Sequence, residues 1–140
     1  MTNIRLVTTE DEEFWFTVDR HLDRNEFNNK VYLKQGFVIE YENKPVGVMR
    51  YNLFWDQIPF LNLIYIKDDF HNKGIGRQAM LSWEEEMRKL GHKLVMTSTM
   101  VEETSQHFYR KLNYTDCGCL VKNFEPFVET MEMFMMKQLL

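Results

Sequence analysis

The stretch Leu61–Leu81, LNLIYIKDDFHNKGIGRQAML, constrains this chain more than any other. It opens as an apolar run, crosses a polar loop, reaches Gly74-Ile75-Gly76 and continues in a helical pattern. A strand, a loop rich in backbone donors and a helix start together build an anion pocket without committing a charged side chain. Lying mid-chain, this strand and helix are expected at the centre, with the other elements wrapped around them.

The letters alone allow three phosphate-binding readings. A Walker loop needs Gly-x4-Gly-Lys followed by Ser or Thr, which this chain lacks. Gly74-Ile75-Gly76-Arg77-Gln78-Ala79 fits the relaxed dinucleotide pattern GxGxxA. That fingerprint places its first glycine at the strand end, whereas Lys67–Lys73 intervenes. Its ribose-binding acid lies about 20 residues on, where this chain has Met96-Thr97-Ser98-Thr99. Both readings fail, and a third has to take the whole stretch together.

Composition limits what such a pocket can serve. The 140 residues, 44% apolar and 27% charged, describe one domain, 1–140, of ordinary soluble character. No apolar run approaches the roughly 20 residues that cross a bilayer. MTNIRLVTTEDEE lacks the basic and hydrophobic regions of a signal peptide, so no membrane role and a cytoplasmic location are expected. A net charge of −4 argues against nucleic acid, which wants a basic face. It suits a cationic substrate, but also ordinary solubility. Cys117 and Cys119 flank one residue in a strand-like segment. They read as buried free thiols in preference to a metal site or a redox pair, and no metal is expected.

Along the chain, Ile4–Val7 reads as a first strand. Thr9 with Glu12 makes a capping box ahead of Phe14, Val18 and Leu22 at helical spacing. Phe14-Trp15-Phe16 is wider than one face needs; core packing is the plainer reading and a pocket lining the sharper one. Asp23 caps a second helix carrying Phe27 and Val31 and ending at Gly36. Phe37–Glu42 alternates apolar and acidic as a half-buried strand, turns through Asn43-Lys44-Pro45, and pairs back along Val46–Phe54. After a loop at Trp55–Pro59, Phe60–Ile66 reads as a central strand covered on both faces.

Ile75, Ala79, Trp83 and Met87, with Met80 and Leu90 beside them, form an amphipathic helix that Gly91 ends. Glu84-Glu85-Glu86 reads as its solvated face. Leu94–Thr99 is a strand. Val101, Ser105, Phe108 and Leu112 outline a shorter helix stopped by Asn113. Tyr114–Val121 is a strand, Lys122–Thr130 a loop, and Met131–Lys137 a Met-rich last strand at a soft edge of the core. The order β-α-α-β-β-β-α-β-α-β-β gives an α/β or α+β class with a mixed sheet.

LIYIKDDFHNKGIGRQAM resembles motif A of the GNAT superfamily of N-acetyltransferases: a strand, a short loop, then Arg/Gln-x-x-Gly-x-Gly/Ala opening a helix. HFYRKLNY resembles the end of the family's motif-B helix, Phe-Tyr-x-Lys-x-Gly-Phe. The element order is also the family's. The resemblance implies a central mixed, mostly antiparallel sheet of about seven strands with about four flanking helices. Several positions depart from the pattern. His71 stands for the usual Arg or Gln, Asn113 for Gly, Glu102 for Asn and Ser105 for Ala.

The resemblance implies acetyl-CoA as donor. Its pantetheine arm would pair with the main chain of Ile64, Tyr65 and Ile66, whose N–H groups can polarise the thioester carbonyl. Its pyrophosphate would rest at His71, Asn72, Lys73, Gly74, Ile75, Gly76 and Arg77, mostly on amides at the helix start. Tyr109 falls in register with the family's acid beside the sulfur, where a phenol of pKa about 10 can protonate a leaving thiolate. No base is identifiable. Glu40, Glu42, Asp56, Glu102 and His107 each read as an ordinary surface charge, and a water relay is equally open.

The resulting expectation is transfer of an acetyl group to a primary amine of a small molecule or peptide. The alternative is a module of the same fold that holds acyl-CoA without turnover. In the family the acceptor is set by segments matching Phe14–Asn29 and Lys122–Thr130, which carry Trp15, His21, Phe124 and Phe127. A homodimer stays open.

Overall fold

The computed structural model describes residues 1–140. Seven strands form a single sheet: β1 (Thr2–Leu6), β2 (Gly36–Tyr41), β3 (Lys44–Phe54), β4 (Ile58–Ile66), β5 (Leu94–Met100), β6 (Thr115–Leu120) and β7 (Glu132–Gln138). Four helices accompany it: α1 (Glu12–Val18), α2 (Arg24–Leu33), α3 (Ile75–Lys89) and α4 (Ser105–Lys111). Strands lie in the order β1-β2-β3-β4-β5-β7-β6, and only β4 and β5 run parallel. The mixed, mostly antiparallel sheet with its four helices is the architecture that the resemblance implies.

Each face of the sheet has its own core. Ile75, Ala79, Met80, Trp83 and Met87 of α3 are essentially inaccessible to solvent. They pack with Tyr109 and Leu112 against Ile39, Met49, Leu61, Val95, Met133 and Met135. Burying each large side chain of that stripe contributes about 1.5–3 kcal/mol, which holds α3 in place. On the other face Trp15, Val18 and Phe27 of α1 and α2 cover Val7, Val38 and Val48. Phe14-Trp15-Phe16 follows its plainer reading: Trp15 is fully buried against Phe27 at 5.6 Å, and Phe14 and Phe16 pack beside the same cluster.

Several local expectations are corrected by tertiary context. The capping arrangement forms one residue earlier, with the Thr8 N–H donating to Asp11 Oδ2 at 2.8 Å, because Asp11 is also gripped by Arg5 at 2.9 Å. Asp23 does cap α2, accepting from the Glu26 N–H at 2.8 Å. That helix ends at Lys34 in a left-handed conformation, while Gly36 opens β2. The hairpin turns on Glu42-Asn43, both at positive φ, and Lys44 already pairs with Tyr41. β2 is not half-buried: Gly36–Ile39 are covered on both faces.

Leu90 is exposed beyond the end of α3, whereas Glu84 is fully buried. Glu84 accepts from the Tyr114 hydroxyl at 2.9 Å and from Lys137 Nζ at 2.7 Å. The Met-rich β7 is interior, inserted between β5 and β6. β6 is the edge, so the free thiols of Cys117 and Cys119 are exposed and not buried. Asn113, at φ 73, stops α4 in the left-handed form as its position suggests. No helix is long and apolar enough to cross a membrane.

Candidate active site

The site begins with a split in the sheet. β4 and β5 are in register only at Phe60 with Met96 and Leu61 with Thr97. Immediately beyond, Arg50 of β3 opposes Leu63 while Tyr51 opposes Leu61, leaving Asn62 as an extra residue in β4. Such a bulge bends and twists its strand, and it falls where β4 and β5 part. Ile64, Tyr65 and Ile66 stay paired to Met49, Val48 and Gly47 on one edge. Their other edge has no strand partner, so β4 past Leu61 is not the fully covered strand its apolar letters suggest. An unpaired edge is a template for an extended ligand.

The loop after β4 forms the second part. His71 folds back so that its Nε2–H donates to the Ile66 carbonyl at 2.7 Å, tying the loop to the strand end. Asn72 and Gly74 then adopt positive φ, 62° and 76°. The first helical hydrogen bond of α3 runs from the Gln78 N–H to the Gly74 carbonyl at 3.1 Å. Consequently the amides of Asn72, Lys73, Gly74, Ile75, Gly76 and Arg77 have no backbone acceptor. Six successive free donors at a helix start favour an anion through both geometry and the helix dipole. Neither Lys73 nor Arg77 is engaged among the ion pairs around them, which involve Asp68 with His71 and Glu85 with Arg88.

The two glycines serve different ends. At Gly74 a β-carbon meets nothing within 4 Å, so its requirement is the left-handed backbone. At Gly76 a β-carbon would stand 3.4 Å from Ile66 Cδ1 and 3.5 Å from the Phe108 ring, narrowing the cleft between them.

Tyr109 supplies the third part. It is 6% exposed, with its ring 5.7 Å from Tyr114 and 5.2 Å from Phe108. Burial pushes its hydroxyl above the usual phenol range, the Thr97 hydroxyl draws it back in part, and Glu103 adds to the rise. The phenol therefore holds its proton at neutral pH and is suited to give one up only to a strongly basic atom.

A cleft of about 620 Å³ gathers these parts. Of the residues singled out in the sequence, Ile64, Ile66, His71, Asn72, Gly74, Ile75, Gly76, Arg77 and Tyr109 line it. Lys73 lies outside the lining. Tyr65 faces the opposite side of the sheet, as strand alternation requires, in a cleft of about 210 Å³ with Asp19, His21 and Leu63. Phe70, Thr104, Ser105 and Phe108 complete the main cleft. Sequence reasoning placed Ser105 and Phe108 on a short helix by their spacing and gave Phe70 and Thr104 no role. Only Phe108, adjacent to Tyr109 on a short helix, carried a usable signal.

The opposite cleft is built around Asp19, whose carboxylate accepts from Arg50 Nε at 2.8 Å, Trp15 Nε1 at 3.0 Å and the His21 N–H at 3.2 Å. Burial works to raise its pKa, but these partners, Arg50 foremost, hold it below the usual carboxylate range. It is a saturated structural anion, not a free base.

Comparison with known proteins identifies the fold and the family. The model of the acetyltransferase (GNAT) family matches residues 4–114. No curated protein sequence matches the chain. Among solved structures, Ard1 from Thermoplasma volcanium superposes with a TM-score of 0.84 at 14% identity, covering 99% of this chain and 98% of its own. A ribosomal-protein-alanine N-acetyltransferase from Brucella melitensis gives 0.81 at 20% identity, covering 98% and 99%. A GNAT acetyltransferase from Elizabethkingia anophelis, solved with acetyl-CoA bound, gives 0.75 at 17% identity, covering 99% and 98%. Those identities speak for the fold; the family match, spanning most of the chain, speaks for descent, and the protein belongs to the GNAT acetyltransferase family.

Proposed function

We propose that this protein is an acetyl-CoA-dependent N-acetyltransferase, acting as one unit over residues 1–140, that acetylates a primary amine of a small molecule or peptide. The observation that carries this reading is the meeting, in one cleft, of free amides at a helix start, an unpaired strand edge and a buried phenol. The donor set suits CoA. The amides from Asn72 to Arg77 would hold the pyrophosphate, with Lys73 and Arg77 adding positive charge. The open edge of Ile64–Ile66 would align the pantetheine arm as a neighbouring strand, and N–H groups near the bulge would face the thioester oxygen as negative charge gathers there. His71, replacing a longer polar side chain of the family pattern, would contribute by fixing the loop through Ile66.

Tyr109 would protonate the departing sulfur. Its raised pKa supports this role: the proton is present throughout the neutral range, and a thiolate released in a desolvated cleft is basic enough to take it. A cytoplasmic setting fits the two exposed free thiols, which persist in reducing compartments. The acceptor is expected to be an amine, with neither nucleic acid nor membrane required.

The test is calorimetric titration of the protein with acetyl-CoA, followed by free-thiol release against a panel of amines. Peptides beginning with alanine head the panel, since the Brucella neighbour's name specifies that acceptor; polyamines and aminoglycosides complete it. Acetyl-CoA binding with amine-dependent thiol release is the expected result. Failure to bind acetyl-CoA would sink the reading. Binding without transfer to any amine would favour a non-catalytic acyl-CoA-binding module.

A further inference from the structure

The face of the sheet opposite Tyr109 carries groups that the chemistry above does not use. Along β5, Thr97 and Thr99 are buried toward α3 and α4, paired with Met135 and Met133 of β7. Ser98 and Met100 therefore point the other way, opposite Phe134 and Glu132. Ser98 is the first residue after the last pair joining β4 to β5, so it stands where the split opens. Its hydroxyl donates to Glu132 Oε2 at 2.6 Å. Tyr109 belongs to the core on the Thr97 side of β5, and the carboxylate of Glu132 is tied to Ser98. Consecutive residues of one strand thus present an acid and a carboxylate on opposite faces at the mouth of the same opening.

The surface leading to Glu132 is aromatic. Trp55, 75% exposed, stands 4.7 Å from Phe54; Phe54 is 6.2 Å from Phe60; Phe60 is 5.8 Å from Phe134, centroid to centroid. Phe134 shares a face of β7 with Glu132. A row of aromatic rings ending on a carboxylate is the chemistry that recognises an ammonium group, through ring quadrupoles and then an ion pair.

We infer that Glu132 is the proton acceptor for the amine, which approaches along this aromatic row from the face of the split opposite Tyr109. The assignment rests on the acetyltransferase reading and supplies the base that the sequence left unnamed. An acceptor ammonium gives one proton to the Glu132 carboxylate, and the freed nitrogen lone pair forms the C–N bond to the acetyl carbon. The C–S bond breaks with its electron pair on sulfur, which takes the Tyr109 proton. The nitrogen sheds its second proton as the amide forms, restoring the phenol through solvent, and Glu132 returns its own proton to water. One amide, one thiol and one proton result, with no change of oxidation state.

The surroundings of Glu132 suit that task. Lys122 and Glu129 face it from the loop between β6 and β7, where Lys122 Nζ pairs with Glu129 Oε1 at 2.9 Å. From β5 and β6 Glu132 meets Ser98, Met100 and Leu120, none of them charged. Burial raises the Glu132 carboxyl above the usual carboxylate range and Glu129 adds to the rise, while Ser98 and Lys122 draw it back in part. A carboxylate so placed is a stronger base than one in water, and it is needed ionised, so kcat/KM falls as pH drops through its pKa.

The experiment compares wild type, Glu132→Gln and Ser98→Ala, using the panel amine that wild type acetylates fastest, with kcat/KM followed across pH and acetyl-CoA affinity measured in parallel. Glu132→Gln is expected to lower kcat/KM by about 10²–10⁴-fold, to lose the acidic limb of the profile and to leave acetyl-CoA affinity within about twofold. Ser98→Ala keeps the carboxylate but removes the hydrogen bond that lowers its pKa, so the acidic limb moves to higher pH. Wild-type rates in Glu132→Gln, or an unmoved limb in Ser98→Ala, would overturn the assignment while the acetyltransferase reading stands. A wild type that binds acetyl-CoA and acetylates no amine refutes that reading, and this one with it.

Discussion

Replacing Glu84 by alanine should be among the most destabilising single changes in this protein, although its neighbours Glu85 and Glu86 look identical in the sequence. Glu84 has no solvent exposure and holds two partners, the Tyr114 hydroxyl at 2.9 Å and Lys137 Nζ at 2.7 Å. The Tyr114 residue is 2% exposed and the Lys137 side chain 13%. Alanine leaves an ammonium buried without its counter-ion and a phenol without its acceptor, and breaking a buried pair from one side costs about 3–5 kcal/mol. For a chain of this length each kcal/mol lowers Tm by about 3–4 °C, so the expected drop is roughly 10–20 °C. Glu85 makes a half-exposed pair with Arg88 at 3.2 Å, and Glu85→Ala should stay within about 0.5 kcal/mol of wild type. Tyr114→Phe, which spares the Lys137 pair, should fall between, at about 1.5–3 kcal/mol. Urea unfolding followed by tryptophan fluorescence, with a thermal melt alongside, reads all three. A Glu84→Ala protein within 1 kcal/mol of Glu85→Ala would refute the claim that this triad is a closed, desolvated unit anchoring α3 to β7.

Three further expectations concern the site and its pH response. Gly74→Ala forces a β-carbon onto a residue at φ 76°; it should cost about 1–2 kcal/mol of stability and weaken acetyl-CoA binding measured by calorimetry, and equal affinity in both proteins would contradict the cradle. Tyr109→Phe should slow thiol release at saturating substrates while leaving acetyl-CoA affinity near wild type; an unchanged kcat would remove the acid role. Burial first, and then the negative charge of Glu84, pushes the Tyr114 hydroxyl far above the phenol range. Because its folded pKa exceeds the unfolded value of about 10, Tyr114 contributes stability that is fully present below that pH and is lost as pH rises above it. Tyr114→Phe should therefore lose less stability between neutral and strongly alkaline pH than wild type does, with a residual slope from Tyr51 and Tyr109, which burial also raises; parallel slopes in the two proteins would contradict this.

The sequence by itself determined the elements whose signals are local. The run Ile75, Ala79, Trp83, Met87 defines one helical stripe whatever it packs against, because side chains at that spacing share a face. Asn113 announces a left-handed position, since few residues accept one. The length of the loop between Ile66 and Gly74 excluded a dinucleotide site, and the resemblance of HFYRKLNY to motif B singled out Tyr109.

What only the tertiary structure decided depends on partners distant in the chain. Glu84 is buried because Tyr114 and Lys137, 30 and 53 residues away, arrive over it; no periodicity separates it from Glu85. The cysteines are exposed because β7 takes the interior place and leaves β6 at the edge, a choice of strand order that apolar content does not encode. The open edge of β4 follows from a pairing that stops at Leu61 and a bulge at Asn62, and a central strand that parts from its neighbour has the same letters as one that does not. The meeting of Ser98 with Glu132 is of the same kind: a hydrogen bond across 34 residues, created by register between strands, ties a carboxylate to the first β5 residue past its last pair with β4.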